Sequence, residues 1–181
     1  MDKQTLREKI RGNGPVLPET SQKVADGLFS WMSPRLPGTV SAFLAMPGEV
    51  DVSVLFARLP GWRWVLPRVA PDRSLTFRDR DLPRERHPFG MEQPQDSGPV
   101  IPLHEIDLFL TPGLAFDRRG GRLGNGAGFY DRLLAKKRPD AQSVGITIES
   151  RVVSEVPMFE RDQRMDWLAT EDGVISCSPS Q

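Results

Sequence analysis

Residues 106–132 read IDLFLTPGLAFDRRGGRLGNGAGFYDR, and they form the most informative stretch of the chain. It predicts a buried strand over 106–110, a glycine- and arginine-rich segment over 111–128, and a helix from Phe129 to about Lys137. In an α/β sheet, ligands bind beyond the carboxyl ends of the strands. The glycine-rich segment occupies such a position, directly after a strand.

The rest of the chain repeats this alternation of helical and extended patterns. Helices are predicted over 2–11, with Asp2 as the N-cap, over 19–32, and from Asp51 or Ser53 through residue 59. Residues 79–102 show no periodicity and are interpreted as a long loop, which is often functional. Strands are predicted over 39–46, 62–66, 74–78, 143–148 and 165–170. The fold class is therefore α/β, with a mainly parallel sheet flanked by helices.

Composition indicates a soluble, cytoplasmic, globular protein. The 181 residues suit one domain over 1–175, followed by a disordered tail over 176–181. Lys+Arg and Asp+Glu both number 24, so there is no basic excess to suggest a nucleic-acid partner. No apolar run approaches the roughly 20 residues of a membrane span. The charged N-terminus does not resemble a signal peptide, and Cys177, at the tail, is interpreted as inert.

The glycine-rich segment suggests an anion site. Backbone N–H groups that lead into a helix can bind phosphate, and forked arginine side chains suit phosphate oxygens. Asp131 follows at the start of the helix, where a carboxylate beside phosphates could bind magnesium. The five glycines are Gly120, Gly121, Gly124, Gly126 and Gly128, and the arginines are Arg118, Arg119 and Arg122. Glycine clusters also occur in ordinary loops and arginines usually face solvent, so both interpretations stay open on these residues alone.

Residues 112–132 also closely resemble the signature of the 5-formyltetrahydrofolate cyclo-ligase family. That signature reads Pro-Gly-x-Ala-Phe-Asp, then Gly-x-Arg-Leu-Gly-x-Gly-x-Gly-Tyr-Tyr-Asp-Arg, and Phe129 replaces its first tyrosine. Further family landmarks occur in order, so the resemblance covers nearly the whole chain. They are Lys3, Leu6 and Arg7; residues 48–51, 66–68 and 89–94; and Asp162, Asp166, Thr170 and Glu171.

The resemblance implies an activity and a fold. Family members convert 5-formyltetrahydrofolate and MgATP to 5,10-methenyltetrahydrofolate, ADP and phosphate. The implied fold is similar to the three-layer fold of ribose-5-phosphate isomerases and glucosamine-phosphate deaminases. The expected partners are the small molecules 5-formyltetrahydrofolate and ATP, with Mg²⁺ as cofactor. Neither a nucleic acid nor a membrane is expected as a partner, and the protein is expected to be a monomer.

The resemblance also assigns candidate residues to three roles. The ATP-binding candidates are Lys3, Arg7, Arg122, Leu123, Gly124, Asn125, Gly126, Ala127, Gly128, Phe129 and Tyr130. The substrate-binding candidates are Leu44, Met46, Glu49, Phe89, Asn125, Gly126, Ala127, Gly128 and Phe129. The metal-binding candidates are Asp131 and Asp162.

Several of these assignments have an ordinary structural alternative. Leu44 and Met46 could be core residues, and Glu49 could belong to a surface turn. Lys3 and Arg7, four apart on a helix, could form a solvated charged face, and Asp162 could be a solvated loop carboxylate.

Three positions depart from the family pattern, and two other functions stay open. Val52 stands where threonine is common, Gln93 where glutamate is common, and Arg161 where histidine is common. A cyclo-ligase-like protein could act on another substrate. A non-catalytic nucleotide-binding module is the second alternative, since fold alone does not fix function.

Overall fold

The computed structural model describes residues 2–11 and 14–177. These residues contain four α-helices. They are α1 (Lys3–Arg11), α2 (Pro18–Met32), α3 (Leu55–Arg58) and α4 (Phe129–Leu134). As predicted, Asp2 caps α1, because its carboxylate accepts the Thr5 N–H at 2.9 Å. Residues 12 and 13, which follow α1, lie outside the described residues.

The twelve described strands form three sheets. They are β1 (Thr39–Ser41), β2 (Arg63–Val69), β3 (Leu75–Asp79), β4 (Arg84–Arg86), β5 (Glu92–Pro94), β6 (Leu108–Pro112), β7 (Ala115–Asp117), β8 (Arg122–Leu123), β9 (Gln142–Ile146), β10 (Val152–Val153), β11 (Trp167–Thr170) and β12 (Gly173–Ser176).

The main sheet has seven strands in the order β12-β11-β9-β6-β1-β2-β3. Its five inner strands are parallel to one another, and β12 and β3 are antiparallel edges. This confirms a mixed α/β fold with a large, mostly parallel sheet. The strand predicted over 74–78 corresponds to β3, at one edge of the sheet.

Apolar side chains project from both faces of this sheet. Along β6, Leu108 and Leu110 join one core cluster, whereas Phe109 joins another. The first cluster contains the buried faces of α2 and α3, and the second contains Leu133 and Leu134 of α4. Alternation with period two thus places helices on both faces. Both faces are buried, which is typical of a parallel sheet.

Two segments carry more structure than the sequence predicted. The expected loop over 79–102 contains the antiparallel hairpin β4–β5, with Glu85 opposite Gln93. The glycine-rich segment contains β7 and β8, and β7 pairs with both β8 and β10 in a small sheet. Strands of two or three residues are too short to show a period of two, so the pattern could not reveal them.

Several predicted boundaries were wrong. The strand expected over 39–46 ends at Ser41, because the chain then leaves the ladder and turns toward a cavity described below. The helix expected to reach residue 59 covers only Leu55–Arg58, and the helix expected to reach Lys137 ends at Leu134. At the C-terminal end, β12 continues through Ser176. Residues 178–181 of the expected tail lie outside the described residues.

Candidate active site

A cavity of about 530 Å³ opens at the carboxyl ends of the parallel strands β1, β2 and β6. Each of these strands contributes residues to the cavity wall, at the carboxyl end of the strand or just beyond it. The helix α1 and the start of α4 complete it. The lining residues are Lys3, Arg7, Phe43, Leu44, Met46, Glu49, Pro67, Val69, Leu75, Phe89, Met91, Glu92, Pro112, Gly113, Arg122, Gly124, Asn125, Gly126, Ala127, Gly128, Phe129, Tyr130, Asp131 and Asp162.

The glycine loop over 124–128 forms one part of this wall. Gly126 has φ +111° and Gly128 has φ +68°, conformations that side-chain-bearing residues adopt rarely. At Gly124, an added Cβ would lie 2.8 Å from an Arg122 nitrogen, so the loop passes close to that guanidinium. The Arg7 Nε–H donates to the Gly124 carbonyl at 3.0 Å. The first helix therefore holds the loop in place.

Two ion pairs lie beside the glycine loop. Lys3 Nζ lies 2.5 Å from an Asp162 carboxylate oxygen, and both side chains are 14% exposed. The Arg122 guanidinium, 4% exposed, donates to Asp131 at 2.8 Å. Gln163, next to Asp162 in the chain, donates its N–H to the other Asp131 oxygen at 3.3 Å. Two cations and two carboxylates are thus gathered at one place in the cavity.

The pKa of Asp162 is set by opposing effects. Burial raises it, but hydrogen bonds from the Lys3 ammonium and the Phe159 N–H lower it, as does the positive charge of Arg122. The net result is a pKa below the ordinary value of 3.8. Asp162 is therefore a carboxylate at neutral pH, as a metal ligand must be.

These carboxylates suit a magnesium ion that also binds phosphate. Magnesium in nucleotide sites takes one or two protein carboxylates, with phosphate oxygens and waters completing the shell. Asp131 and Asp162 provide that number, beside the glycine-loop amides that would bind the phosphates. Within residues 2–11 and 14–177, no group of three or more His, Cys, Asp or Glu side chains could hold a metal ion.

Glu49 lies in a turn after β1 and also lines the cavity. Its carboxylate accepts the Met46 N–H at 2.9 Å, which folds the side chain back over the turn. Burial raises its pKa, while that hydrogen bond and the positive charge of Arg151 oppose the rise. Burial and the nearby negative charge of Glu49 raise the pKa of Tyr130, and the positive charge of Arg122 lowers it. The pKa of Tyr130 therefore depends on the charges of both Glu49 and Arg122.

Apolar side chains complete the wall beside Glu49. Leu44 and Met46 follow β1, and both are only partly buried. Phe89 lies at the tip of the β4–β5 hairpin and is 55% exposed. Its N–H donates to His87 Nδ1 at 3.1 Å, and the two rings are 4.7 Å apart. This part of the cavity offers apolar surface with one acidic group.

The structure brings the sequence-predicted residues together with few exceptions. Leu123 is fully buried against α1, in a cluster with Leu6 and Ile10, and its side chain packs in the core. Arg118 and Arg119, expected to supply phosphate charge, form ion pairs with Glu149 and Glu155 on another surface. The adjacent glycines Gly120 and Gly121 serve the β7–β8 turn, where a Cβ at Gly121 would lie 2.3 Å from an Asp117 carboxylate oxygen. All other candidates line the cavity.

The structure shows what the side chains at two of the three departures from the family pattern contact. Val52 is fully buried in the core cluster that contains α2, so it acts in packing. Gln93 is 3% exposed, accepts the Val69 N–H at 3.1 Å and donates to Glu85 at 3.2 Å. Gln93 thus holds the hairpin against β2. Arg161 is exposed, and nothing in the structure explains it.

Sequence reasoning missed several residues of the site. Phe43, Pro67 and Val69 belong to predicted strands or their ends, so the rule that ligands bind beyond strand ends could have found them. Met91 and Glu92 come from the unrecognised hairpin. Arg151 is 7% exposed and acts on Glu49 from outside the cavity wall, and no sequence signal reveals this.

Comparisons with known proteins find relatives along nearly the whole chain. The sequence model described as the 5-formyltetrahydrofolate cyclo-ligase family matches residues 2–171. The 5-formyltetrahydrofolate cyclo-ligase of Escherichia coli K12 is 32% identical over 164 residues, covering 86% of this chain and 90% of the relative. The Mycolicibacterium smegmatis relative of the same name is 30% identical over 190 residues, covering 96% of each chain. The solved Aquifex aeolicus 5,10-methenyltetrahydrofolate synthetase is 28% identical with a TM-score of 0.83, covering 100% of this chain and 95% of that one.

Proposed function

Because the chain belongs to the 5-formyltetrahydrofolate cyclo-ligase family, we propose that it cyclises 5-formyltetrahydrofolate to 5,10-methenyltetrahydrofolate with ATP and Mg²⁺. It is a ligase of folate one-carbon metabolism. The products would be the methenyl folate, ADP and phosphate.

One observation carries it: a single cavity joins a charged region built for phosphates to an apolar region with an acidic anchor. Lys3, Arg7 and Arg122 with the glycine loop make up the first region. Leu44, Met46 and Phe89 with Glu49 make up the second. A reaction between a nucleotide and a flat heterocycle needs both regions within one enclosure.

The chemical obstacle is that a formamide oxygen is a poor leaving group. In the proposed reaction this oxygen attacks the γ-phosphorus of ATP, and the bond from that phosphorus to ADP breaks. The N10 amine then attacks the activated carbon, loses its proton, and phosphate departs with the former formyl oxygen. Phosphoryl transfer depends mainly on positioning and charge neutralisation, which this site can provide without a nucleophilic side chain.

The charged residues have defined roles in this scheme. The Lys3, Arg7 and Arg122 cations would neutralise phosphate oxygens, and the amides of residues 124–128 would orient them. Asp131 and Asp162 would hold the metal. A bound Mg²⁺ supplies charge stabilisation on the phosphates during transfer.

The apolar region would bind the folate. Phe89 and Phe129 offer ring faces for the pterin, Leu44 and Met46 supply wall surface, and Glu49 is a hydrogen-bonding anchor for its polar edge. Placing the formyl group between this region and the glycine loop would bring it to the γ-phosphate.

The test is the rise of methenyl-folate absorbance with purified protein, 5-formyltetrahydrofolate and ATP, with and without magnesium. A rise that needs both ATP and magnesium is the expected result. ATP binding without a rise would favour a relative that acts on another substrate. Thermal stabilisation by nucleotide without ADP release would favour a binding module.

Other expectations stand as parts of this proposal. They are a single domain over residues 1–175, a monomer in solution and a cytoplasmic location. Likeness to the three-layer fold of ribose-5-phosphate isomerases is supported by the helix clusters on both faces of the sheet. Within residues 2–11 and 14–177, no helix has the length and apolar character to cross a membrane. Light scattering of the purified protein would test the monomer.

A further inference from the structure

Arg151 is a buried arginine outside the cavity wall. It ends a single 3-10 turn, Glu149–Arg151, just after β9, and only 7% of it is exposed. Burial lowers its pKa, and the negative charge of Glu49 opposes that effect. Burying a guanidinium is costly, so its contacts are informative.

Its guanidinium joins two distant segments of the chain. One nitrogen donates to the Gly48 carbonyl at 2.5 Å, and another donates to the Gly14 carbonyl at 3.2 Å. Gly48 has φ +88° and immediately precedes Glu49, so this bond fixes the turn that presents the carboxylate. Gly14 lies in the segment that follows α1, the helix that carries Lys3 and Arg7.

Arg151 also acts on Glu49 through charge. Each residue offsets the effect of burial on the other's pKa. Tyr130 of α4 is a second titratable side chain that interacts with Glu49. The remaining charged side chains of the cavity wall are Lys3, Arg7, Glu92, Arg122, Asp131 and Asp162.

We propose that Arg151 is a positioning residue for the folate region: it fixes the Gly48–Glu49 turn that presents the Glu49 carboxylate for binding 5-formyltetrahydrofolate. This inference rests on the proposed function. Arg151 touches neither ligand in this scheme and acts through Glu49. The two backbone contacts require an arginine, because a guanidinium has diverging donors on separate nitrogens whereas a lysine ammonium is a single point charge.

The test compares Arg151→Gln and Arg151→Lys with wild type in the methenyl-folate assay. Arg151→Gln should raise the KM for 5-formyltetrahydrofolate by about tenfold, the size of a lost charge-assisted hydrogen bond, with the KM for ATP within about twofold. Arg151→Lys keeps the charge and should give a smaller rise. Arg164→Gln is the matched control, because exposed Arg164 also donates to a backbone carbonyl, that of Arg119, at 3.0 Å.

The pH profile separates positioning from simple support of the fold. Without the positive charge at position 151, the pKa of Glu49 rises further, so Glu49 becomes protonated at a higher pH. The loss of folate affinity on the acidic side should therefore begin at higher pH in Arg151→Gln. It should stay near the wild-type position in Arg151→Lys.

Several outcomes would overturn the inference. One is a wild-type folate KM and pH profile in Arg151→Gln; another is an equal rise of both KM values with an unshifted profile. If the Gln variant does not fold, Arg151→Lys decides, and wild-type KM values for both substrates in that variant would refute the role. A wild-type enzyme that forms no methenyl product contradicts the proposed reaction instead. Equilibrium binding of 5-formyltetrahydrofolate to the same variants would then still test Arg151.

Discussion

At the scale of single residues, the charged part of the cavity consists of matched pairs. Lys3 with Asp162 and Arg122 with Asp131 are each within hydrogen-bonding distance. On the proposed function, phosphate oxygens would take the cations while a magnesium ion takes the carboxylates. Each of these four charged side chains would then exchange one partner for another, which avoids the cost of leaving it unpaired.

Asp131 offers the sharpest test of that exchange. Asp131→Asn keeps the size of the side chain and an oxygen for the Arg122 hydrogen bond, so the fold should persist. It removes the negative charge that would bind the metal, and turnover should fall by roughly a hundredfold or more. Steady-state kinetics with a magnesium titration measures this, and circular dichroism checks the fold.

The matched control is Asp140→Asn. Asp140 is 76% exposed and pairs with Arg138 away from the cavity, so its variant should turn over like wild type. A wild-type rate in Asp131→Asn would remove Asp131 from the proposed metal site.

At the scale of elements, the sequence predicted the longer strands and the glycine loop, and it missed the shortest strands. Strands β6 and β9 overlap short, mostly apolar stretches, IDLFL over 106–110 and SVGITI over 143–148, so their existence followed from hydrophobicity. The glycine loop was predictable because positive φ at Gly126 and Gly128 requires that residue. The hairpin β4–β5 was missed because its strands have three residues each and carry charged side chains. The pairing is accompanied by cross-strand ion pairs such as that of Arg84 with Glu92 at 3.8 Å. Such contacts join residues that no short sequence pattern relates.

The glycine loop predicts a selective loss of nucleotide binding. Gly126→Ala forces a Cβ into φ +111°, which costs on the order of 1–3 kcal/mol and should deform the loop. The KM for ATP should rise at least severalfold, while the melting temperature falls by only a few degrees. Gly14→Ala is the control, since an added Cβ there meets no atom within 4 Å. Equal KM values for ATP in the two variants would mean that the loop conformation is unimportant for the nucleotide.

The hairpin predicts the complementary loss. Phe89→Ala removes the exposed ring at its tip, and the KM for 5-formyltetrahydrofolate should rise by about tenfold, as expected for loss of aromatic contact on a ligand ring. The KM for ATP and the melting temperature should hardly change, because a 55% exposed side chain contributes little to the core. Leu36→Ala, at a residue that is 92% exposed outside the cavity, should leave both KM values unchanged. Equal effects on both substrates in Phe89→Ala would contradict a folate-specific role.

At the scale of the whole molecule, the site depends on contacts between distant parts of the chain. Lys3 and Asp162 are 159 residues apart, and their ion pair fastens α1 to the segment before β11. Sequence could supply both residues through the family resemblance, but pairing across that separation is a product of the fold. The Arg151 contacts with Gly14 and Gly48 are of the same kind and could not be predicted from local patterns.

This long-range ion pair predicts a pH-dependent contribution to stability. The folded-state pKa of Asp162 is lowered from 3.8, so its stabilising effect is complete above the unfolded-state value and is lost as the pH falls through the folded-state value. At neutral pH, Asp162→Asn should lower the free energy of unfolding by about 1–2 kcal/mol, because charge-assisted hydrogen bonds from Lys3 and Phe159 are weakened. The difference from wild type should narrow once the pH drops below 3.8. Thermal unfolding across this pH range in the absence of nucleotide measures both quantities. A difference that stays constant at every pH would mean that the charge of Asp162 does not stabilise the fold, and that its contribution comes from packing alone.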